Sequence, residues 1–426
     1  MITKTKHAVV RALRASERFT KTDMVYATKG GFWLFFGYAF QIATGIVLSV
    51  LFANLLPKEA FGTYQFVIAM ASVAAVFTLT GIGSALVRAG AQGAEGVLPY
   101  GFRLQIRANS GIVLASAAFA LYYFIQGNPL LGAAFCIVAI SQPFITAFSL
   151  YRPFLQGKQL FQRQAITDMV QRIVPFLCML ATLRVTDNPL YLLCAYFISQ
   201  ALTHGAAYVY IARTCDQPLR EHPELKTYSK HLSVMESFFE IANVADKVLV
   251  WFFLGAVPTA LYTLALMPIT HLQSVFGFGR ILAFPKLAQR PLAELRIVLH
   301  EKIRRFFIIT CVAVIAYIIA APYIFSILFP QYLEAVHYSQ VLALTVLAIP
   351  RTLITQTFIA HQLKRELYII NFTAPTLRII LLAIGLPLFG VWGAVGAVLG
   401  TEAVNTIVQW YLFKRIETPA QKAAYE

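Results

Sequence analysis

An α-helix needs about twenty mostly apolar residues to cross the hydrocarbon core of a bilayer, and this sequence supplies such a run again and again. Windows of this kind fall at 31–55, 63–87, 108–126, 129–151, 166–183 and 189–211. A second set follows at 232–255, 259–279, 306–328, 336–361, 367–388 and 391–413. Charged residues make up only 13% of the 426 and apolar residues 58%, against about 25% charged in a soluble domain. A soluble fold of this length would leave too much of that apolar surface bare, so lipid has to cover it. The pattern predicts an all-α integral membrane protein with about 12 transmembrane helices.

The Lys and Arg residues test that count independently, because cytoplasmic loops carry the excess of positive charge. With the N-terminus inside, 29 of the 35 fall in the tails and loops of one side. Only Lys58 and Arg184 fall on the other, while Arg172, Lys247, Arg351 and Arg378 lie inside windows. A missed or invented helix would move every later loop across the membrane and destroy the asymmetry. Both termini are therefore expected on the cytoplasmic side.

The same distribution accounts for the net charge of +16 as membrane anchoring, and no basic domain with stacking aromatics points to nucleic acid. No apolar leader ending in a cleavage site is visible in the first 30 residues. Thr5 to Lys21 place Val9 and Leu13 on one helical face among basic residues. Two readings stand for this tail: a helix on the anionic inner leaflet, or a disordered basic arm. Cys136, Cys178, Cys194, Cys215 and Cys311 show no CxxC pair, so they read as small core residues rather than a disulfide framework or metal site.

The organisation expected is a basic tail over 1–30, a six-helix lobe over 31–213, a linker over 214–230, a second six-helix lobe over 231–413, and a tail over 414–426. The lobes read as copies. Phe40–Thr44 matches Phe239–Asn243, Tyr64 and Tyr262 follow at nearly the same offset, and Gln171–Val174 matches Leu377–Ile380. Six spans per copy give both the same orientation, hence parallel repeats about an axis along the membrane normal. Two pseudo-symmetric lobes around a central cleft, rocking to alternate access, are the expectation.

Charges inside the windows cost about 2.5–3.5 kcal/mol each on insertion scales, so they should line that cleft or pair. Glu236, Glu240, Asn243 and Lys247 are spaced to share one helical face, with Asp246 beside it. Glu402, Asn405 and Gln409 form a similar stripe in the last window, and Gln200, Thr203 and His204 in the sixth. Arg172, Arg351, Arg378 and Lys247 are candidate substrate-binding cations, since guanidinium forks hold phosphate bidentately and Lys acts as a point charge. Glu236, Glu240, Asn243, Asp246 and Glu402 are candidate coupling or cleft-lining groups. The competing reading is pairing: Asp168 with Arg172 four residues on, and Glu240 with Lys247 across two turns. His204 and His271 read as hydrogen-bonded core residues. No P-loop, HExxH, GxSxG or acidic loop cluster occurs, so no enzyme, metal or cofactor is expected.

Several stretches carry a family likeness. Leu56-Pro57-Lys58-Glu59-Ala60-Phe61-Gly62-Thr63-Tyr64, Ala245-Asp246-Lys247-Val248-Leu249-Val250 with Ala260-Leu261-Tyr262, and Phe284-Pro285-Lys286-Leu287 are three of them. Leu328–Val336 with Gln340–Leu344, and Leu386–Ala394, complete the set. In order and spacing the chain resembles the polysaccharide-transporter, or Wzx-type oligosaccharide flippase, branch of the multidrug/oligosaccharidyl-lipid/polysaccharide exporter superfamily. The resemblance implies a two-lobed flippase in the bacterial inner membrane. It would carry an undecaprenyl-pyrophosphate-linked oligosaccharide to the outer leaflet for surface polysaccharide such as O-antigen lipopolysaccharide. It also implies basic residues on the pyrophosphate, an H+ or Na+ gradient for the return, and polymerase machinery and membrane lipids as partners. The family's cationic cavity is matched imperfectly, because Asp168, Glu236, Glu240, Asp246 and Glu402 balance the cations. The rivals are a cation-coupled multidrug antiporter and a non-transporting scaffold for glycan assembly. The first window, 31–55, has no Asp or Glu, which favours the flippase.

Overall fold

The computed structural model describes residues 24–215, 223–288, 292–361 and 363–415. The tail over Thr5 to Lys21 lies outside them. Among the described residues there is no strand, and each of the twelve windows is mostly helical. Seven helical stretches are long and apolar enough to cross a membrane by length and composition: Val97–Ile125, Pro129–Gly157, Phe161–Leu183, Val298–Leu328, Ala335–Ala360, Lys364–Phe389 and Val391–Arg415. Large apolar side chains point outward along them, Leu114, Ile125, Ile319 and Ile327 among others. Such an exterior is stable only against lipid.

Residues fall into two compact units. The first holds the described part of Met1–Leu48, with Ala74–Thr186 and Leu190–Glu236. The second holds Ser49–Val73, Asp187–Pro189 and the described part of Ser237–Glu426.

Helix α1 (Met24–Leu55) is the first described element, followed by α2 (Lys58–Ala75) and α3 (Ile82–Ala91). The window at 63–87 was expected as one helix, yet it breaks between Ala75 and Ile82. The reason is local. Gly81 donates its backbone N–H to Ser233 Oγ at 3.0 Å, and a Cβ there would strike Leu232. Thr80 Oγ1 donates to the Ser233 carbonyl at 3.2 Å. Backbone groups released by the break thus find partners on a neighbouring helix, as a dry interior demands.

In the first unit, α4 (Val97–Ala108) runs into α5 (Ser110–Ile125) through Asn109. Buried Asn109 accepts from Thr78 and Gln105 and donates to Thr146 Oγ1 at 3.0 Å on α6 (Pro129–Phe148). The short α7 (Tyr151–Gly157), α8 (Phe161–Leu183) and α9 (Pro189–Thr214) complete it. Leu86, Leu98, Tyr151, Phe154 and Ile211 form its core.

The second unit contains most of α10 (Pro223–Leu254), then α11 (Ala256–Ala288) and α12 (Leu292–Leu328). A 3-10 turn (Pro330–Tyr332), α13 (Ala335–Leu342), a 3-10 segment (Ala343–Arg351) and α14 (Thr352–Ala360) follow, then α15 (Lys364–Phe389) and α16 (Val391–Arg415). Leu299, Ile354, Phe358 and Phe413 pack one end.

The end of α1 and the start of α2 are tied to the 3-10 turn. Asn54 Nδ2 donates to the Leu328 carbonyl at 2.8 Å, and Lys58 sits 3.7 Å from Glu334 and over the Tyr332 ring. Burial, and then the Glu59 charge, pushes the Tyr332 phenol up to about 12. Gly62 lets α2 meet the first turn of α11, where a Cβ would lie 1.9 Å from the Ala256 carbonyl oxygen.

Candidate functional site

Asp246 on α10 is 3% exposed, and a bare carboxylate so placed would be untenable without partners. It has three. Arg378 Nη2 on α15 donates to its Oδ2 at 2.7 Å, Tyr262 Oη on α11 donates to the same oxygen at 2.9 Å, and the Lys247 backbone N–H donates to Oδ1 at 2.8 Å. Three helices of the second unit are pinned at one carboxylate.

Arg351, at the end of the second 3-10 segment, makes a second such knot. Its Nη2 lies 2.6 Å from Glu402 Oε2, while Nη1 donates to the Glu402 carbonyl at 2.8 Å and to Thr406 Oγ1 at 2.9 Å. One turn further along α16, Gln409 donates to Asn405 and accepts from Thr355. Two of the four candidate cations, Arg378 and Arg351, are thus held by two of the five coupling or cleft-lining candidates, Asp246 and Glu402.

The α10 stripe divides differently. Glu236 accepts a hydrogen bond from Ser84 Oγ at 2.8 Å within the first unit. Glu240 and Asn243 are exposed, and Lys247 is half-buried. The expected pairing of Glu240 with Lys247 is absent: neither has an ion-pair partner among the described residues. Seven residues of helix separate them by about 10 Å along the axis, beyond direct contact.

Arg172 on α8 was expected to pair with Asp168, but Asp168 is engaged from another helix. Arg152 Nε on α7 lies 2.6 Å from Asp168 Oδ1. No carboxylate reaches ion-pair distance of Arg172 among the described residues. Behind this group, Gln171 donates to Gln200 on α9 at 2.6 Å, and the Tyr151 and His204 rings lie 5.9 Å apart. His204 is buried, as a core residue should be, and among the described residues its Nδ1 has no hydrogen-bond partner. Arg152 was missed because it reads as a loop charge; α7 carries it back onto helix.

A family model described as polysaccharide biosynthesis protein matches residues 27–290, well over half of the chain. The chain belongs to the polysaccharide biosynthesis protein family. Comparison with curated protein sequences finds no match. Among solved structures, one described as lipid II flippase MurJ in an inward closed conformation superposes with a TM-score of 0.68 at 14% identity, covering 92% of this chain and 88% of that one. An inward-facing multidrug resistance MATE family transporter of the MOP superfamily gives 0.63 at 14% identity, with 87% and 93% covered. A MOP superfamily transporter from Pyrococcus furiosus, described as having a binding pocket of reverse polarity, gives 0.59 at 14% identity, with 89% and 93% covered. At these identities the likeness establishes the fold, which is that of MOP superfamily transporters.

This polysaccharide biosynthesis family member departs from its own repeat at an informative place. When Phe40–Thr44 is set against Phe239–Asn243, Val47 stands opposite Asp246, and Gln41 opposite Glu240. The first half carries the arginine but lacks the acid. That difference explains why Arg378 is neutralised from α10 and Arg172 has no equivalent partner on α1.

Proposed function

We propose that this protein is a flippase, moving a polyprenyl-pyrophosphate-linked oligosaccharide across the bacterial cytoplasmic membrane by alternating access for surface polysaccharide synthesis, with both termini cytoplasmic. The observation that carries the reading is the polysaccharide biosynthesis family match over 27–290. Arg172, a cation in a span with no carboxylate at ion-pair distance among the described residues, supports it, because such a charge is costly unless a ligand or water meets it. On this reading Arg172 and Lys247 are the cations open to the pyrophosphate, whereas Arg351 and Arg378 serve first to neutralise Glu402 and Asp246. Glu240 is the coupling candidate, being exposed and without an ion-pair partner among the described residues. O-antigen lipopolysaccharide is one pathway of this kind.

The multidrug antiporter draws on the MATE likeness, but α1 offers no acid from Gly31 to Leu55. The test is lipid analysis of a strain lacking the gene. Accumulation of a polyprenyl-pyrophosphate glycan, reversed by the wild-type gene, is the expected result. No accumulation, with raised sensitivity to cationic drugs, would overturn the reading in favour of the antiporter.

A further inference from the structure

Among the described residues, three arginine–carboxylate pairs join one helical element to another, and they are not built alike. Arg378–Asp246 and Arg351–Glu402 are each reinforced by hydrogen bonds, including those from Tyr262 and to Thr406. Arg152–Asp168 is a single-point contact. It joins Nε to Oδ1 at 2.6 Å, and among the described residues no third residue hydrogen-bonds to either of these two atoms. Both side chains also stay about a third exposed, at 35% and 30%.

Around this loose pair lie further polar groups. The Tyr151 hydroxyl is fully buried beside the Arg152 guanidinium, and among the described residues His204 Nδ1, on a residue 4% exposed, has no hydrogen-bond partner. Arg172, one helical turn beyond Asp168, feels the charges of both Arg152 and Asp168 without touching a carboxylate. Two guanidinium groups thus share one carboxylate, which leaves one positive charge uncompensated. Buried polar atoms without partners are rare in folded proteins and call for a cause.

We propose that Asp168 is an internal stand-in for a ligand phosphate: the arriving phosphate displaces its carboxylate from Arg152 and is held by Arg152 and Arg172 together, with the Tyr151 hydroxyl as a further donor. Guanidinium forks suit phosphate oxygens bidentately, and the exchange replaces a single-point contact with several charge-assisted ones. The cargo's diphosphate as the source rests on the flippase reading. The chemistry recognised is the phosphate group, which a phospholipid headgroup also carries. Asp168 would then hold the site closed between transport events, and Arg152 joins the binding residues.

The test is binding of inorganic pyrophosphate, farnesyl diphosphate and short-chain phosphatidylglycerol to the purified full-length protein in detergent. Asp168→Asn removes the competitor, so diphosphate affinity should rise about tenfold, while Arg152→Gln and Arg172→Gln should each lower it about tenfold. A purely structural ion pair predicts the opposite for Asp168→Asn: unchanged or weaker binding, and that result overturns the proposal. Should that variant fail to fold, Arg152→Lys keeps the charge without the fork, and undiminished diphosphate binding there would overturn it equally. Tightening for phosphatidylglycerol alone supports the phosphate site and assigns it to lipid headgroups. A failed strain test with tightening in Asp168→Asn leaves the phosphate site without the flippase, and the reverse leaves the flippase without this site.

Discussion

Arg378 and Arg172 stand at matching positions when the two halves of the sequence are aligned, yet among the described residues only Arg378 has a carboxylate, Asp246, 2.7 Å away. On the proposed function this difference separates two jobs: one guanidinium holds helices together, and the other is left to meet the cargo.

The Asp246 knot should be visible in stability. Replacing Asp246 with Asn leaves the Arg378 charge without its counter-ion, and removing one partner of a buried pair costs about 3–5 kcal/mol. Thermal unfolding in detergent should show a large fall in midpoint for Asp246→Asn and a smaller one for Tyr262→Phe, which loses one hydrogen bond. Equal midpoints for Asp246→Asn and wild type would contradict the pairing.

Arg351→Lys tests fork geometry separately from charge. Lysine can still face the Glu402 carboxylate but cannot also reach the Glu402 carbonyl and Thr406 in the same plane. A loss of about 1–2 kcal/mol is expected, read from the same unfolding measurement. An unchanged midpoint would mean that charge alone holds α16 to the 3-10 segment.

The α15–α16 hairpin depends on close backbone approach. A Cβ on Gly393 would lie 1.9 Å from the Gly385 carbonyl oxygen, and small residues are what allow membrane helices to come this close. Gly393→Ala should therefore separate the two helices and lower stability by about 1–3 kcal/mol. Gly396→Ala, where a Cβ meets nothing within 4 Å, is the control expected to leave the midpoint unchanged.

Much of this fold was legible because spanning is a local property: twenty apolar residues announce a helix wherever the rest of the chain lies. The break before Ile82 was less so, although Thr78-Leu79-Thr80-Gly81 contains turn formers, because what stabilises it is Ser233 from α10. The α8 spacing suggested that Asp168 belongs with Arg172, since i,i+4 neighbours share a face. The actual partner, Arg152, comes from a helix that follows Ser149 and Leu150, and no pattern within α8 could name it. Likewise Asp246 was legible as a charged flank of the α10 stripe, while its union with Arg378 and Tyr262 depends on helices far apart in sequence.

Arg172→Ala separates binding from stability. With no ion pair to lose, the variant should unfold within about 1 kcal/mol of wild type while failing to restore surface polysaccharide to the deletion strain. Arg378→Ala should lose stability as well, and Arg172→Lys should restore function only in part. Full restoration by Arg172→Ala would remove this residue from the transport path.

The most direct measurement is flipping by the purified protein in liposomes, using a fluorescent polyprenyl-diphosphate glycan and a quencher that cannot cross the bilayer. The flippase account predicts that label protected in the inner leaflet of empty liposomes becomes quenchable when the wild-type protein is present, and stays protected with Arg172→Ala. Persistent protection with folded wild-type protein, under every imposed H+ or Na+ gradient, would contradict it.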